Sequence, residues 1–231
     1  MGAKRHPSKF ESLCMTVFYL IPTRQVRPYV PQPLTITEVA PGYTIGGLYA
    51  ARFGCAEGRA ISEFSVLPAY VRHSDKKGFL MNNFCTDSNA EGAGRDAGGI
   101  VKSPASFAWV MDERYVSLEV AKAGSPVITI KMKPLINELP FSASFPFLSV
   151  KGNNVVFFKN QYASNIGLST SSVSIPKDSP LSGFPFGVKL LSTFWDASNV
   201  VMKEPEYVQE PVISRPDKAF GSPISKTDVR L

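Results

Sequence analysis

Proline and glycine punctuate this chain so densely that no long helix has room to run: nineteen prolines and seventeen glycines fall within 231 residues. Proline removes a backbone donor and blocks the interior of a helix, and glycine weakens a helix wherever it sits in one. The pieces between these breaks are rich in Val, Ile, Phe and Tyr, the composition of short strands. In residues 114–120, Val116, Leu118 and Val120 share one face; a stretch ending Gly124, Ser125, Pro126 follows, and alternation resumes over 127–132. This pattern predicts a hairpin turning at Gly-Ser-Pro. Strands are also predicted over 43–52, 78–84, 106–111 and 188–201, with short helices over 23–30 and 89–98. Residues 140–154 read as a long connection, packed down by Phe141, Phe145, Phe147 and, just beyond, Phe157. The expectation is a 1–9 arm, one domain over 10–210, and a polar 211–231 tail.

A chain with 44% hydrophobic and 11% aromatic residues can bury a core without staples. Its charge is +6, from 25 Lys and Arg against 19 Asp and Glu, but the basic residues never form a run of five. Nucleic-acid proteins concentrate positive charge on one groove or arm, so no nucleic-acid partner is expected. The three cysteines, Cys14, Cys55 and Cys85, are odd in number and widely spaced, which supports neither a disulfide framework nor a CxxC site. Two histidines, His6 and His73, weaken Ser-His and Cys-His catalysis and any His-rich metal site. No metal and no cofactor is expected. The first fifteen residues lack a signal-type apolar stretch and nothing approaches ~18 apolar residues, so no membrane partner and a cytoplasmic location are expected. The closing Val229, Arg230, Leu231 is a poor match to a peroxisomal tripeptide, with Val229 where a small residue belongs.

With histidine and metal chemistry set aside, Lys102 is the residue through which carbonyl chemistry could run. A lysine attacks a carbonyl only as the neutral amine, so its ordinary pKa of ~10.4 must fall by desolvation or beside another cation. Ile100 and Val101 precede it, and Pro104, Ala105 and Phe107 follow, an apolar setting. The alternative is a lysine that snorkels from a loop.

Tyr19, the Val30-Pro-Gln-Pro-Leu34 turn, Ser62-Glu63, Phe79-Leu80 through Phe84 and Asp87, and Gly94-Arg95-Asp96 ahead of Lys102 come in a distinctive order. That ordered set resembles the acetoacetate decarboxylase family, whose pattern runs from a Pro-Glu-Pro-Leu turn, through a glutamate, to Gly-Arg-Glu and a Pro-Lys-Lys site. The segment 79–102 aligns without a gap, and the resemblance covers residues 10–210. It implies a mostly β (α+β) fold: a single-domain, antiparallel, cone-shaped β-barrel with a few short flanking helices, together with a homo-oligomer as partner. It further implies imine catalysis on Lys102, with Glu63 as the retained glutamate that moves protons.

Four positions depart from the family pattern. Val101 replaces the proline and Ser103 the second lysine, so a depressed lysine pKa would come mostly from burial. Ser12 stands where the family has an arginine for the substrate carboxylate, and a pocket carboxylate upstream of Glu63 falls near Leu48. Glu63 could instead be a surface strand residue, since Glu57 and Arg59 share its hydrophilic stretch.

The substrate-binding candidates are Asn82, Asn83, Phe79, Met81, Arg95 and Tyr207. Asn82 and Asn83 interrupt an apolar strand, and alternation lets only one of them face a pocket. Phe79 and Met81, with Phe107 and Trp109, could line that pocket or pack a core. Arg95 and Asp96 read best as an ion pair supporting their loop. Tyr207 would be a pocket phenol.

The expected function is a Schiff-base lyase that decarboxylates a β-keto acid or related oxo acid. One alternative keeps the imine without CO2 loss, as in an aldolase, dehydratase or cyclase of the kind secondary metabolism uses. Another is a non-catalytic binder of an apolar metabolite.

Overall fold

The computed structural model describes residues 12–54, 60–81, 83–87, 102–112, 114–196, 200–202 and 205–208. The predicted helix at 89–98 lies outside them. Among the described residues fifteen strands join one sheet. In chain order they are β1 (Leu13–Pro22), β2 (Thr35–Ile36), β3 (Tyr43–Gly54), β4 (Ala60–Leu67), β5 (Tyr70–His73), β6 (Lys76–Leu80), β7 (Asn83–Thr86), β8 (Lys102–Pro104), β9 (Ser106–Met111), β10 (Val116–Lys122), β11 (Ser125–Lys151), β12 (Asn154–Ser174), β13 (Val188–Asp196), β14 (Val200–Met202) and β15 (Glu206–Val208). The only helical elements described are α1 (Thr23–Val26) and a 3-10 turn at Arg27–Tyr29. They replace the single helix expected over 23–30. Pro28 lies in the first turn of the 3-10 segment, where its missing N–H costs least. The Arg27 guanidinium donates to the Leu34 and Val30 carbonyls at 3.0 and 3.2 Å, which ties down the Pro-Gln-Pro-Leu turn.

The hydrogen-bonded order is β2-β5-β6-β11-β12-β13-β1-β3-β4-β7-β8, with β10 on β11, β9 on β10, and β14 and β15 on β12. The pairs are antiparallel except β6 with β11 and β7 with β8. This order is an open path from β2 to β8, so the mostly β, antiparallel character holds while the expected closed barrel goes beyond the described pairing.

Two expected connections are strand instead. The β10–β11 turn is Ala123-Gly124, at φ +49° and +79°, the left-handed geometry of a two-residue hairpin turn. Ser125 and Pro126 already belong to β11 and pair with Lys122 and Ala121. Residues 140–154 are the end of β11 and its tight turn into β12, not a long connection. The outer edge of β11 pairs with β10 only as far as Met132 and with β6 only from Phe147. Between them one edge has no described partner strand, so Pro134, Pro140 and Pro146 forfeit no ladder bond there. The predicted strand at 78–84 is interrupted after β6 at Met81, and that at 188–201 is described as β13 and β14, with 197–199 outside the described residues.

Alternation along β1 divides the interior in two. Leu13, Met15, Val17, Tyr19 and Ile21 join the larger core with Leu48, Phe64, Val66, Leu118 and Ile130. Cys14 falls in a second, smaller cluster with Tyr49, Leu67, Met81, Phe147, Phe158, Tyr162 and Trp195. Each strand shared by the two clusters sends odd and even residues to opposite faces of one sheet. The candidate site lies on the face of the smaller cluster.

Candidate functional site

Backbone register draws two rows across that face. One runs Trp195, Cys14, Ala51, Glu63, Thr86, Pro104 through β13, β1, β3, β4, β7 and β8. The next runs Thr193, Thr16, Tyr49, Ser65, Phe84, Lys102 through the same strands. Lys102 therefore occupies the end of a row that begins at Thr193, one register step from the row of Glu63. Glu63 is 9% exposed, so it is a buried carboxylate rather than the surface strand residue that its hydrophilic neighbours suggested.

Thr16, Phe18, Tyr49, Leu67, Phe79, Phe145, Phe147, Tyr162 and Trp195 surround a cavity on this face. The cavity has a volume of about 10 Å³. That is room for roughly one water. The walls are ring against ring: Phe145 stacks on Trp195 at 6.1 Å, and Tyr162 meets Trp195 edge-on at 5.6 Å. Thr16 is spent on Thr193, their hydroxyls 2.7 Å apart.

A polar chain borders the aromatic wall. The Tyr49 phenol is in hydrogen-bonding contact with Tyr162 and with the Cys14 thiol. The Asn160 side-chain amide donates to Tyr162 Oη at 3.3 Å. Burial pushes the Cys14 thiol and the Tyr49 and Tyr162 phenols well above their ordinary pKa values, and the Glu63 carboxylate adds to the rise in each. All three stay protonated at neutral pH. They can donate hydrogen bonds, and they lie where added negative charge is unfavourable.

The other sequence candidates separate. Phe79 lines the cavity and packs against Phe18 and Tyr70 at 5.6 and 5.2 Å. Met81 is buried in the same cluster. Asn83 pairs with Val66, one position off the Ser65–Phe84 row. Asn82 and Arg95, with Asp96, lie outside the described residues. Tyr207 is 55% exposed on β15 and is not among the cavity's lining residues. Phe107 and Trp109 pack on the larger core, where Trp109 Nε1 donates to Ser62 Oγ at 3.2 Å. Leu48 belongs to that core too, and the residue of β3 that turns to the cavity is its neighbour Tyr49. Ser12 Oγ accepts the Gly54 N–H at 2.9 Å. Cys14, Tyr49, Tyr162 and Trp195 were not anticipated. Alternation marks Tyr49 as opposite to Leu48, but nothing in the sequence says which face holds the cavity.

No protein-family model matches the sequence, and no curated protein matches it. Solved structures do share its fold. An acetoacetate decarboxylase structure superposes with a TM-score of 0.67 at 15% identity, covering 88% of this chain and 89% of that one. Acetoacetate decarboxylase from Legionella pneumophila gives 0.64 at 13% identity, covering 90% and 92%. The enduracididine biosynthesis enzyme MppR, complexed with the condensation product of pyruvate and imidazole 4-carboxaldehyde, gives 0.58 at 9% identity, covering 85% and 87%. The chain has the acetoacetate decarboxylase-like fold.

Proposed function

We propose that this protein is an imine-forming enzyme that makes or breaks carbon–carbon bonds in an oxo compound, with Lys102 as the amine. The observation that carries the reading is the register row that ends at Lys102, beside buried Glu63 and the cavity bordered by Tyr49 and Tyr162. The acetoacetate decarboxylase-like fold supports it. The neutral Lys102 amine adds to the substrate carbonyl carbon, and the carbinolamine loses water to give the iminium. Glu63 carries the protons of the dehydration and of the later enamine step. With a β-keto acid the bond to the carboxylate breaks, its electron pair enters the iminium and CO2 leaves. The enamine is then protonated on carbon and hydrolysed.

A second reading keeps the imine and loses no CO2: the enamine carbon attacks another carbonyl, and water leaves on dehydration. Ser12 and Leu48 favour it. At the two positions where the family pattern has charged groups, the structure has a hydroxyl occupied by Gly54 N–H and an aliphatic side chain in the opposite core. Release of CO2, measured beside the carbonyl product, separates the two reactions.

Borohydride reduction in the presence of a panel of β-keto acids and ketones should leave one adduct, which peptide mass spectrometry should place on Lys102. Lys102→Ala and Lys102→Arg should both lose it, the second because guanidinium remains protonated. Glu63→Gln should slow turnover about 10²-fold or more and still permit trapping. An adduct on another lysine, or turnover without any adduct, would overturn the assignment.

A further inference from the structure

Thr86 lies in the register row of Glu63, its direct partner across the β4–β7 ladder, with Pro104 on its other side. Residues paired across a ladder share a face of the sheet, and so do residues two apart on one strand. Phe84 pairs with Lys102, so Thr86 and Lys102 are diagonal neighbours on the face that carries Glu63. Such neighbours are about 7–8 Å apart, within reach of a long side chain. Thr86 is thus at the Lys102 end of this face and is not among the residues around the Trp195 cavity. It is 7% exposed, and its Oγ1 has no hydrogen-bond partner among the described residues. Ser65, two positions from Glu63 on β4, spends its own hydroxyl on the Val66 carbonyl at 3.2 Å. The backbone around Thr86 is pinned on both sides: the Thr86 carbonyl accepts the Ala105 N–H at 2.8 Å, and the Asp87 N–H donates to the Ser62 carbonyl at 3.2 Å. A β-branched side chain on a pinned strand has few rotamers, so the unmet hydroxyl is held in place. Burying it without a partner costs stability, and a native fold that keeps such a group calls for a reason.

We propose that Thr86 is a catalytic residue of the imine site, its Oγ1–H donating a hydrogen bond to the substrate oxygen that leaves as water when Lys102 forms the imine. The proposal rests on the imine reading and adds to it the donor for that oxygen. The lone pair of the Lys102 amine forms the bond to the carbonyl carbon, and the π pair of C=O moves onto oxygen. Thr86 stabilises the charge gathering there and keeps its own proton. The oxygen takes up the proton that the nitrogen releases, which gives the neutral carbinolamine. A second proton, delivered through Glu63, lets the C–O bond break: its pair leaves with water, and the nitrogen lone pair closes the iminium. A hydroxyl suits this place because it donates at any working pH and adds no charge. The residues flanking Glu63 and Thr86 in the row, Ala51 and Pro104, carry no side-chain donor.

The test reads the rate of imine formation between the full chain and acetone. Excess sodium cyanoborohydride supplies the hydride that traps the iminium as an isopropyl group, and peptide mass spectrometry follows its appearance on Lys102. Thr86→Val keeps the shape of the side chain and removes the hydroxyl. It should trap at least about tenfold more slowly than the parent, while its urea midpoint stays at or above the parent's because an unmet polar group has gone. Thr86→Ala, a second variant without the hydroxyl, should be slowed as much. Thr86→Ser, which keeps the hydroxyl, should recover most of the rate. Trapping by Thr86→Val or Thr86→Ala at the parent's rate would overturn the proposal, as would a Thr86→Ser variant as slow as Thr86→Val. Failure of the imine reading is distinguishable: without any Lys102 adduct in the parent both assignments fall, whereas a parent adduct that Thr86→Val forms equally fast removes the role of Thr86 alone.

Discussion

Cys14 lies directly behind the cavity wall, fully buried, in contact with the Tyr49 phenol and within the field of the Glu63 carboxylate. Burial and then Glu63 hold its thiol protonated, and the Tyr49 contact offsets only part of the rise. Thiolate, not thiol, is the nucleophile, so Cys14 should be inert although it borders the candidate site. Iodoacetamide at pH 8 should label native Cys14 at least about tenfold more slowly than the same residue in urea, since each unit of pKa rise removes nine-tenths of the thiolate. Peptide mass spectrometry reads the result, and rapid native labelling would contradict the burial. Cys85 is only partly buried, and Lys122 pulls its raised thiol back down. It should label before Cys14.

The β1–β3–β4 segment of the sheet holds Tyr49 and Glu63 in register, and its fit depends on a position with no side chain. A Cβ on Gly46 would lie 2.5 Å from the carbonyl oxygens of both Leu67 and Pro68 and 2.7 Å from Ile21 Cδ1. Two of these neighbours are backbone and cannot turn aside. Gly46→Ala should cost about 3 kcal/mol, seen as a lower urea midpoint with an unchanged slope. A midpoint within error of the parent would show that the strands can spread. Elements such as these were legible from sequence to different degrees for physical reasons. The strand β9 and the β10–β11 hairpin announce themselves by alternation, and only the turn shifted, to Ala123-Gly124. The long β11–β12 ribbon hid because three prolines resemble loop punctuation, and they are tolerated where β11 has no outer neighbour among the described residues. Lys102 and Glu63 are proposed from an ordered motif, and the structure adds only their places on neighbouring register rows. Tyr162 and Trp195 were not legible, because their meaning comes from pairing Ile166 with Trp195 and Cys14 with Trp195 across distant strands.

At the scale of the whole molecule, the two faces of one sheet have different electrostatic tasks. The larger core is built mostly of aliphatic and phenylalanine side chains with one phenol, Tyr19, and the smaller one gathers three buried acids, Cys14, Tyr49 and Tyr162, that the fold keeps neutral. This couples stability to pH at the alkaline end. The Tyr49 and Tyr162 phenols have folded pKa values above their ordinary 10.0. Their contribution is fully present below that value and is lost as pH rises towards the folded pKa, because the unfolded chain releases protons that the folded chain retains. Between the two limits each phenol should subtract about 1.4 kcal/mol of stability per pH unit. Urea unfolding at pH 9, 10 and 11 should therefore show a steeper decline for the parent than for the double variant Tyr49→Phe, Tyr162→Phe. That variant should start lower at pH 9, by about 1 kcal/mol per lost hydrogen bond, and then fall more slowly. Its curve should approach that of the parent as pH rises. Parallel declines would mean that the phenols reach solvent in the folded protein, and the dry, donor-lined wall assigned to the candidate site would go with them.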